Sequence, residues 1–398
     1  MEAEDRKSVE HAPMRRLLWP LYFCCFASLA SMRVCDSMLP SLEGNLAVDQ
    51  QHAAYTISVF ALAYGVFQLF FGPVGDRFGK VRVIATAAIA CALGNLAASA
   101  CNNIDQLLVA RAVSGATAAG IVPLTMAWIG DNVGYERRQE ILARFLGATV
   151  LGTIFGQLAG GTVPSVTSWR IAFLVVAAVL FTGGILTFRE VRRQPAAGDP
   201  VQAQVLHNSV SVFRAPWARV VLLTTMVEGG FAYSALAFLP THFHDAVGLS
   251  VSEAGLVVGL YGIGGLVYSR FAKSLLGYLT EAGFATLGGL LLAVSFGALS
   301  LCHQLVVSLL SCLGAGFGFY VLHNTLQLNA TQMSPACRGT AVSLFSCFLF
   351  LGQSIGILSG ALLIQRTSTS SLLLPSGIGL LATGGIFSVL LGRRHGPR

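Results

Sequence analysis

The chain has 398 residues, 54% of them hydrophobic and only 11% charged, with a mean hydropathy of +0.70. Soluble globular domains carry about 25% charged residues, so this chain lacks the polar surface to dissolve in water, and its composition calls for lipid as solvent. The net charge of +7 is distributed by membrane side and forms no basic, aromatic-interleaved patch, which excludes a nucleic-acid partner.

Apolar runs long enough to span a bilayer, about 20 residues each, fall at 17–40, 53–75, 82–101, 106–129, 140–163 and 170–188. After a polar stretch they resume at 218–241, 252–275, 283–302, 304–328, 339–363 and 370–392. The first run follows Arg15 and Arg16 as a signal peptide would, but it continues to Leu39 and reads as an uncleaved first helix. Twelve spans put both termini on one side. Of the 25 Lys and Arg, only Arg170 and Arg366 fall in connections of the opposite side, and Arg33 and Arg111 lie within spans. By the positive-inside rule both termini are then cytoplasmic in a multi-pass protein. The one long connection, 189–217, holds Pro195, Gly198, Pro200 and Pro216. It divides the chain into an N-terminal six-helix bundle over 1–188 and a C-terminal one over 218–398. The expectation is an all-α membrane protein with twelve transmembrane helices in two pseudo-symmetric six-helix bundles.

Three segments of the first half carry motifs. Between the second and third spans stands GPVGDRFGKVRV, with Gly72, Asp76, Arg77, Gly79, Lys80 and Arg82. Its glycines permit a tight turn, and Asp76 is placed to meet helix N-termini or cations of the opposite half. In the fourth span LLVARAVSGATAAG holds Arg111 and Gly115. An arginine within a span costs about 2.5–3.5 kcal/mol on insertion scales and so faces a polar interior with a partner. The fifth span contains GTIFGQLAGG, with Gly152, Gly156, Gly160 and Gly161, and Gly147 stands ahead of it. Glycines at this spacing let helices approach and slide. The GQSIGILSG segment of the eleventh span echoes it and puts Gln157 and Gln353 in corresponding places.

These motifs resemble those of the major facilitator superfamily. The loop at 72–83 is similar to its G-x-x-x-D-R-x-G-R/K-R/K signature, the fourth span to its R-x-x-q-G motif with Ser114 replacing Gln, and the fifth to the antiporter motif G-x-x-x-G-P-x-x-G-G with Gln157 replacing Pro. The RVCDSMLPSLEGNL stretch looks like the bacterial drug and sugar:proton antiporter branch. The resemblance implies a secondary transporter of the inner membrane, monomeric, driven by a proton gradient and free of other cofactors. In the family the signature loop is a conformational latch, and the arginine of the fourth span serves proton coupling or cavity packing.

Four ionisable residues lie inside the spans: Arg33 and Asp36 in the first, Arg111 in the fourth, Glu228 in the seventh. Arg33 and Asp36 are three apart and share a helix face. Glu228 has no partner at helical spacing and pairs with Arg111 or Arg33 across the halves or binds a proton or solute. Such residues mark ion and solute paths. Tyr64, Gln68, Gln157, His323, Asn324, Gln327 and Gln353 complete a candidate cavity for a modest-sized, partly polar solute, with aromatics such as Tyr233 beside them. His242 and His244 are expected in an outer loop, facing solvent.

Other chemistry is absent. The nine cysteines form no CxxC pair and read as free apolar thiols, without a metal site. The stretch VGDRFGKV lacks the first glycine of a P-loop and the Ser/Thr after Lys80, so neither ATP hydrolysis nor another enzyme activity is expected. The reading is proton-coupled efflux of a drug-like, sugar or metabolite substrate by alternating access. A proton symporter importing a nutrient is the alternative on the same fold. A membrane sensor that does not transport, or a membrane-bound enzyme, is the alternative of another class.

Overall fold

A computed structural model describes residues 2–191, 205–275, 278–334 and 338–395, with side chains left out at 2–15, 135–139, 143, 205–209, 273, 338 and 395. The described residues form helices joined by short turns. The first half contains α1 (Glu2–Arg33), a short α2 (Leu39–Leu46), α3 (Gln50–Phe78), α4 (Lys80–Ser99), α5 (Ile104–Ala118), α6 (Ile121–Asn132), α7 (Tyr135–Val166) and α8 (Trp169–Val191). Then come α9 (Val205–Arg214), α10 (Pro216–Asp245), α11 (Val251–Leu275), α12 (Glu281–Leu301), α13 (Leu305–Gln332), α14 (Arg338–Arg366) and α15 (Ser370–His395). Counting α5 and α6 as one span, eleven of these are long and apolar enough to cross a membrane. α1, whose described side chains begin at Arg16, carries the first expected span.

Local chemistry sets the helix starts. Asp49 accepts from the His52 N–H (2.8 Å) and Asn103 from the Gln106 N–H (2.9 Å), satisfying donors that a helix leaves free at its first turn. The fourth span bends where Pro123, lacking an N–H, leaves the Ala119 carbonyl without its helical donor. α5 and α6 meet there at Ala119 and Gly120, and a Cβ on Gly120 would fall on the Phe71 ring.

Internal symmetry is plain in the helix starts. Gln50 and Val251, Lys80 and Glu281, Ile104 and Leu305, Trp169 and Ser370 begin paired helices, each pair 201 residues apart. Packing repeats the pattern: α1 lies on α7 as α10 lies on α14, α4 on α8 as α12 on α15, and α3 on α5 as α11 on α13. Two large apolar cores result, one built mainly from the first half and one from the second, with a small third cluster around Tyr268, Phe284 and Val321. The halves meet along α3 with α14 and α7 with α11.

One expectation about elements needs correction. The first span does not stay helical to residue 40: α1 stops at Arg33, residues 34–38 form a turn, and α2 follows with Pro40 in its first turn. The connection over 189–217 holds a helix of its own. Its residues 192–204 lie outside the described ones, but Val205–Arg214 is the helix α9, with Val212 buried in the second core and Phe213 against Phe348.

Candidate functional site

The buried charges lie near the middle of the bundle and toward the end that carries α2. Asp36 sits in the turn after α1, where its N–H donates to the Arg33 carbonyl (3.2 Å). This turn, and not a helix face, brings Arg33 Nη1 to 3.3 Å from Asp36 Oδ2. Gln157 Nε2 donates to the same oxygen (3.0 Å), and Gln157 Oε1 accepts from Ser37 Oγ (2.8 Å). Gln157, which stands where the family motif has proline, thus belongs to the charge network. Asp36 Oδ1 and Arg33 Nε have no partner among the described residues. The Arg33 guanidinium lies 4.6 Å from the centroid of the Tyr233 ring, on α10 of the other half.

Arg111 is fully buried and pairs with no carboxylate among the described residues. Its Nε donates to the Thr56 carbonyl (3.1 Å) and its Nη1 to the Ser31 carbonyl (2.9 Å), while Phe60 lies 4.2 Å beneath. One side chain of α5 thereby ties α3 to α1. The expected pairing of Glu228 with Arg111 or Arg33 does not occur. Glu228 Oε2 lies 3.1 Å from His323 Nδ1 on α13, and its Oε1 is unpartnered among the described residues. That pairing joins two residues chosen from the sequence for separate reasons.

Aromatic rings fill the space between the two charged pairs. Tyr233 lies 5.4 Å from Phe319, which stacks on His323 at 5.1 Å; Tyr64 meets Phe350 at 4.6 Å across the halves. Of the remaining cavity candidates, Gln68 and Gln353 are buried, and Asn324 and Gln327 are half-buried. The amide of Gln353 and the Gln68 carbonyl oxygen have no partner among the described residues. Sequence reasoning missed Ser37, Phe319, Phe345 and Phe350 as neighbours of the charges, since nothing in their local pattern separates them from core residues.

The glycine motif forms a seam. A Cβ on Gly152 or Gly156 would strike the backbone of Phe26 or Ala30 on α1, and one on Gly160 that of Val34 in the turn just after it. On α14, Gly352, Gly356 and Gly360 stand against Met226, Gly230 and Ser234 of α10. This register makes Gly152 equivalent to Gly352, so Gln157 matches Ile357 and Gln353 matches Thr153. The two glutamines are therefore not equivalent, contrary to the expectation. Gly161 packs across the halves against the Val251 carbonyl, whereas Gly147 faces open space and is not part of the seam.

Among the described residues, the ion pairs of the signature loop stay within its own half. Gly79 adopts φ +89°, a conformation that glycine permits. Lys80 Nζ lies 2.9 Å from both Asp76 Oδ1 and Asp131 Oδ2. Asp76 was expected to meet helix N-termini or cations of the opposite half; it holds Lys80, the first residue of α4 in its own half. Arg77 lies over Phe78, Arg82 is exposed, and Gly72 faces open space.

At the α2 end the halves are closed on each other. Ser354 Oγ donates to the Ser58 carbonyl (3.0 Å), the Ser165 and Ser252 hydroxyls are 3.3 Å apart, and Ala237, Phe238, Ile357, Ala361 and Ile364 join the core of the first half. His242 is buried there, contrary to its expected solvent exposure. Its ring nitrogens meet Thr369 Oγ1 (2.9 Å) and the Leu299 carbonyl (3.1 Å), because α10 runs a turn beyond the apolar stretch. His244 is exposed, as expected, with Nδ1 at the Leu249 carbonyl. Nearby, burial first, and then Asp245 and Asp49, push the Glu43 carboxyl up to about 7. A cleft of about 860 Å³ between α4 and α5, walled by Leu93, Val109 and Val113, opens on the outer flank among exposed apolar residues and touches none of the charged pairs.

Among relatives, the chain is 23% identical to the bicyclomycin resistance protein homolog of Haemophilus influenzae, over 82% of this chain and 84% of that one. It is 26% identical to the multi-drug resistance efflux pump PmrA of Streptococcus pneumoniae serotype 4, over 65% of this chain and 63% of the pump. With the MFS-type transporter YwfA of Bacillus subtilis it shares 25% identity, again over 65% of its length, and spans 64% of that relative. Two solved structures share the fold. A bacterial homolog of the human lysosomal transporter Spinster, inward-facing and unoccupied, aligns with TM-score 0.73 and 16% identity over 96% of this chain and 97% of its own. A peptide transporter POT, solved as a point mutant, aligns with TM-score 0.76 and 17% identity over 94% of each chain. The sequence profile of the Major Facilitator Superfamily matches residues 21–357. Taken with the paired halves and the signature loop, that match settles the family: the chain belongs to the Major Facilitator Superfamily of membrane transporters, and it is a transporter and not an enzyme.

Proposed function

We propose that the protein is a proton-coupled exporter that moves a small drug-like, sugar or metabolite solute across a bacterial plasma membrane by alternating access. It acts as a monomer with both termini in the cytoplasm, and its bundles 1–188 and 218–398, joined by 189–217, rock about the central charges. The proton gradient is its energy source. The observation that carries this reading is the Arg33–Asp36–Gln157 network: a buried carboxylate with one oxygen held and the other unpartnered among the described residues, at the end where the halves are closed. An unpartnered buried carboxylate oxygen is costly, and a proton or a solute donor relieves it. Glu228 offers the same chemistry on the other side of the rings. Similarity to a resistance protein homolog and an efflux pump supports export.

The test is proton movement in liposomes containing the purified protein and a trapped pH-sensitive dye, with a panel of candidate solutes added. A solute that triggers proton flux, lost in Asp36→Asn or Glu228→Gln, fits the reading. Labelled-solute flux without proton flux sinks it. Gln157 favours a second reading, symport into the cell, because it serves the carboxylate where the antiporter motif has proline. Accumulation of the solute in energised cells distinguishes symport from export.

A further inference from the structure

The contact between Arg33 and Tyr233 joins the two halves through a single charge. Arg33 closes α1, Tyr233 stands on α10, and both are buried or half-buried where the α2 end is shut. The guanidinium has two named neighbours of opposite character: Asp36 of its own half at 3.3 Å and the Tyr233 ring of the other half, 4.6 Å away. A cation over an aromatic face holds more strongly when water is excluded, and Arg33 is only 4% exposed. The ring is fixed in turn by Phe319 at 5.4 Å and Phe350 at 6.5 Å, so it is a firm platform and not a loose side chain. Seen from Arg33, Asp36, itself held by Gln157, orients the guanidinium from one half and Tyr233 receives it in the other.

We propose that Arg33, oriented by Asp36, is a clasp that holds the α2 end closed by docking on the Tyr233 ring of the opposite half. Tyr233 is thus a positioning residue for alternating access. The clasp rests on the exporter reading only in treating the closed α2 end as one stage of a transport cycle. When the halves part at this end, the guanidinium leaves the ring and stays with Asp36, its partner in the same half. Opening then costs one cation–π contact and leaves no buried charge without a counter-charge, which would cost far more.

The Ser165 and Ser252 hydroxyls, 3.3 Å apart across the halves, provide the reporter. In a folded variant with the native cysteines replaced, Ser165→Cys with Ser252→Cys forms a disulfide when this end is closed, and the rate of its formation under mild oxidant reads the closed population. Tyr233→Leu, which keeps bulk and removes the π face, is expected to slow cross-linking, up to about tenfold, the factor by which losing a desolvated cation–π contact lowers the closed-to-open ratio. Tyr233→Phe keeps the face and is expected to stay close to the parent rate. Adding Arg33→Gln with Asp36→Asn removes the pair without stranding a charge. In that background Tyr233→Leu is expected to have no further effect.

Cross-linking of Tyr233→Leu at the parent rate overturns the clasp. So does equal slowing by Tyr233→Leu with and without the Arg33–Asp36 pair, since that outcome is packing alone. If Tyr233→Leu does not fold, the Arg33→Gln/Asp36→Asn variant carries the test: slowing, up to about tenfold, supports the clasp, and the parent rate overturns it. None of these assays uses solute or a proton gradient, so failure of solute-driven proton flux sinks the exporter reading without touching the clasp, and the reverse also holds.

Discussion

Gly152 and Gly352 hold the same station in the two halves: each stands against a backbone carbonyl of the helix it packs on, Phe26 in one half and Met226 in the other. The seam repeats a turn later with Gly156 on Ala30 and Gly356 on Gly230. Small residues bring backbones this close in a membrane, where packing and not the hydrophobic effect holds helices together.

That relation predicts matched losses. Gly156→Leu and Gly356→Leu are each expected to destabilise the protein by about 1–3 kcal/mol or more, the usual range for overpacking. Gly147→Ala and Gly72→Ala, whose added methyls meet open space within helices, are expected to raise stability slightly, by about 0.5–1 kcal/mol, since alanine is the better helix former. Thermal melting in detergent, followed by size-exclusion profile, measures all four.

Arg111 donates to two backbone carbonyls on two helices. Arg111→Met is expected to lower stability by about 1.5–3 kcal/mol for each guanidinium hydrogen bond lost, and Arg111→Lys to recover only part, since one ammonium does not reproduce the guanidinium fork. Melting temperature checks the first claim. Cross-linking between α1 and α3 checks the second, because those helices lose their tie.

Glu228 and His323 should behave as a unit. His323→Leu leaves a buried carboxylate without its partner and is expected to cost about 3–5 kcal/mol. Glu228→Gln in the same chain is expected to restore much of that loss. Independent, additive effects in a double-mutant cycle would contradict the 3.1 Å contact as an energetic pair.

The carboxyl of Glu43, pushed up to about 7 by burial and then by Asp245 and Asp49, gives a pH signature. In the folded protein it holds its proton more tightly than in the unfolded chain, so the unfolded state binds fewer protons between the two values. Stability therefore falls as pH rises through that window, from the ordinary carboxylate range up to about 7, and is flat on either side. Glu43→Gln is expected to flatten this slope. Melting temperatures of the parent and variant across the window should differ little at the acidic end and most above it.

The spans were readable because an apolar run of spanning length has few other uses in a chain so poor in charge. The signature loop was readable for its spacing. Asp36 was chosen correctly as the partner of Arg33, though a turn and not a helix joins them, since three residues bring two side chains together in either geometry. His323 as the partner of Glu228 was not readable: the two stand on α13 and α10, and no periodicity links positions that far apart. His242 was misread because the apolar run ends before the helix does, and the last turn of α10 carries the ring inward to Leu299 and Thr369. The glutamines were paired by a shared Gly-Gln, whereas the glycine seam fixes a register one turn away. The constant spacing of helix starts was present in the chain all along, hidden by the unlike residues that cap them. The repeat governs scaffold positions, while Arg33, Asp36, Arg111, Glu228 and His323 have no charged counterpart at the equivalent stations.

The bend at Pro123 divides the fourth span into two rods with different loyalties. Above it, Arg111 is bolted to α1 and α3; below it, Asp131 is roped to Lys80 and so to the signature loop. An articulated span lets the lower rod swing with its loop while the upper rod stays in register with the buried charges.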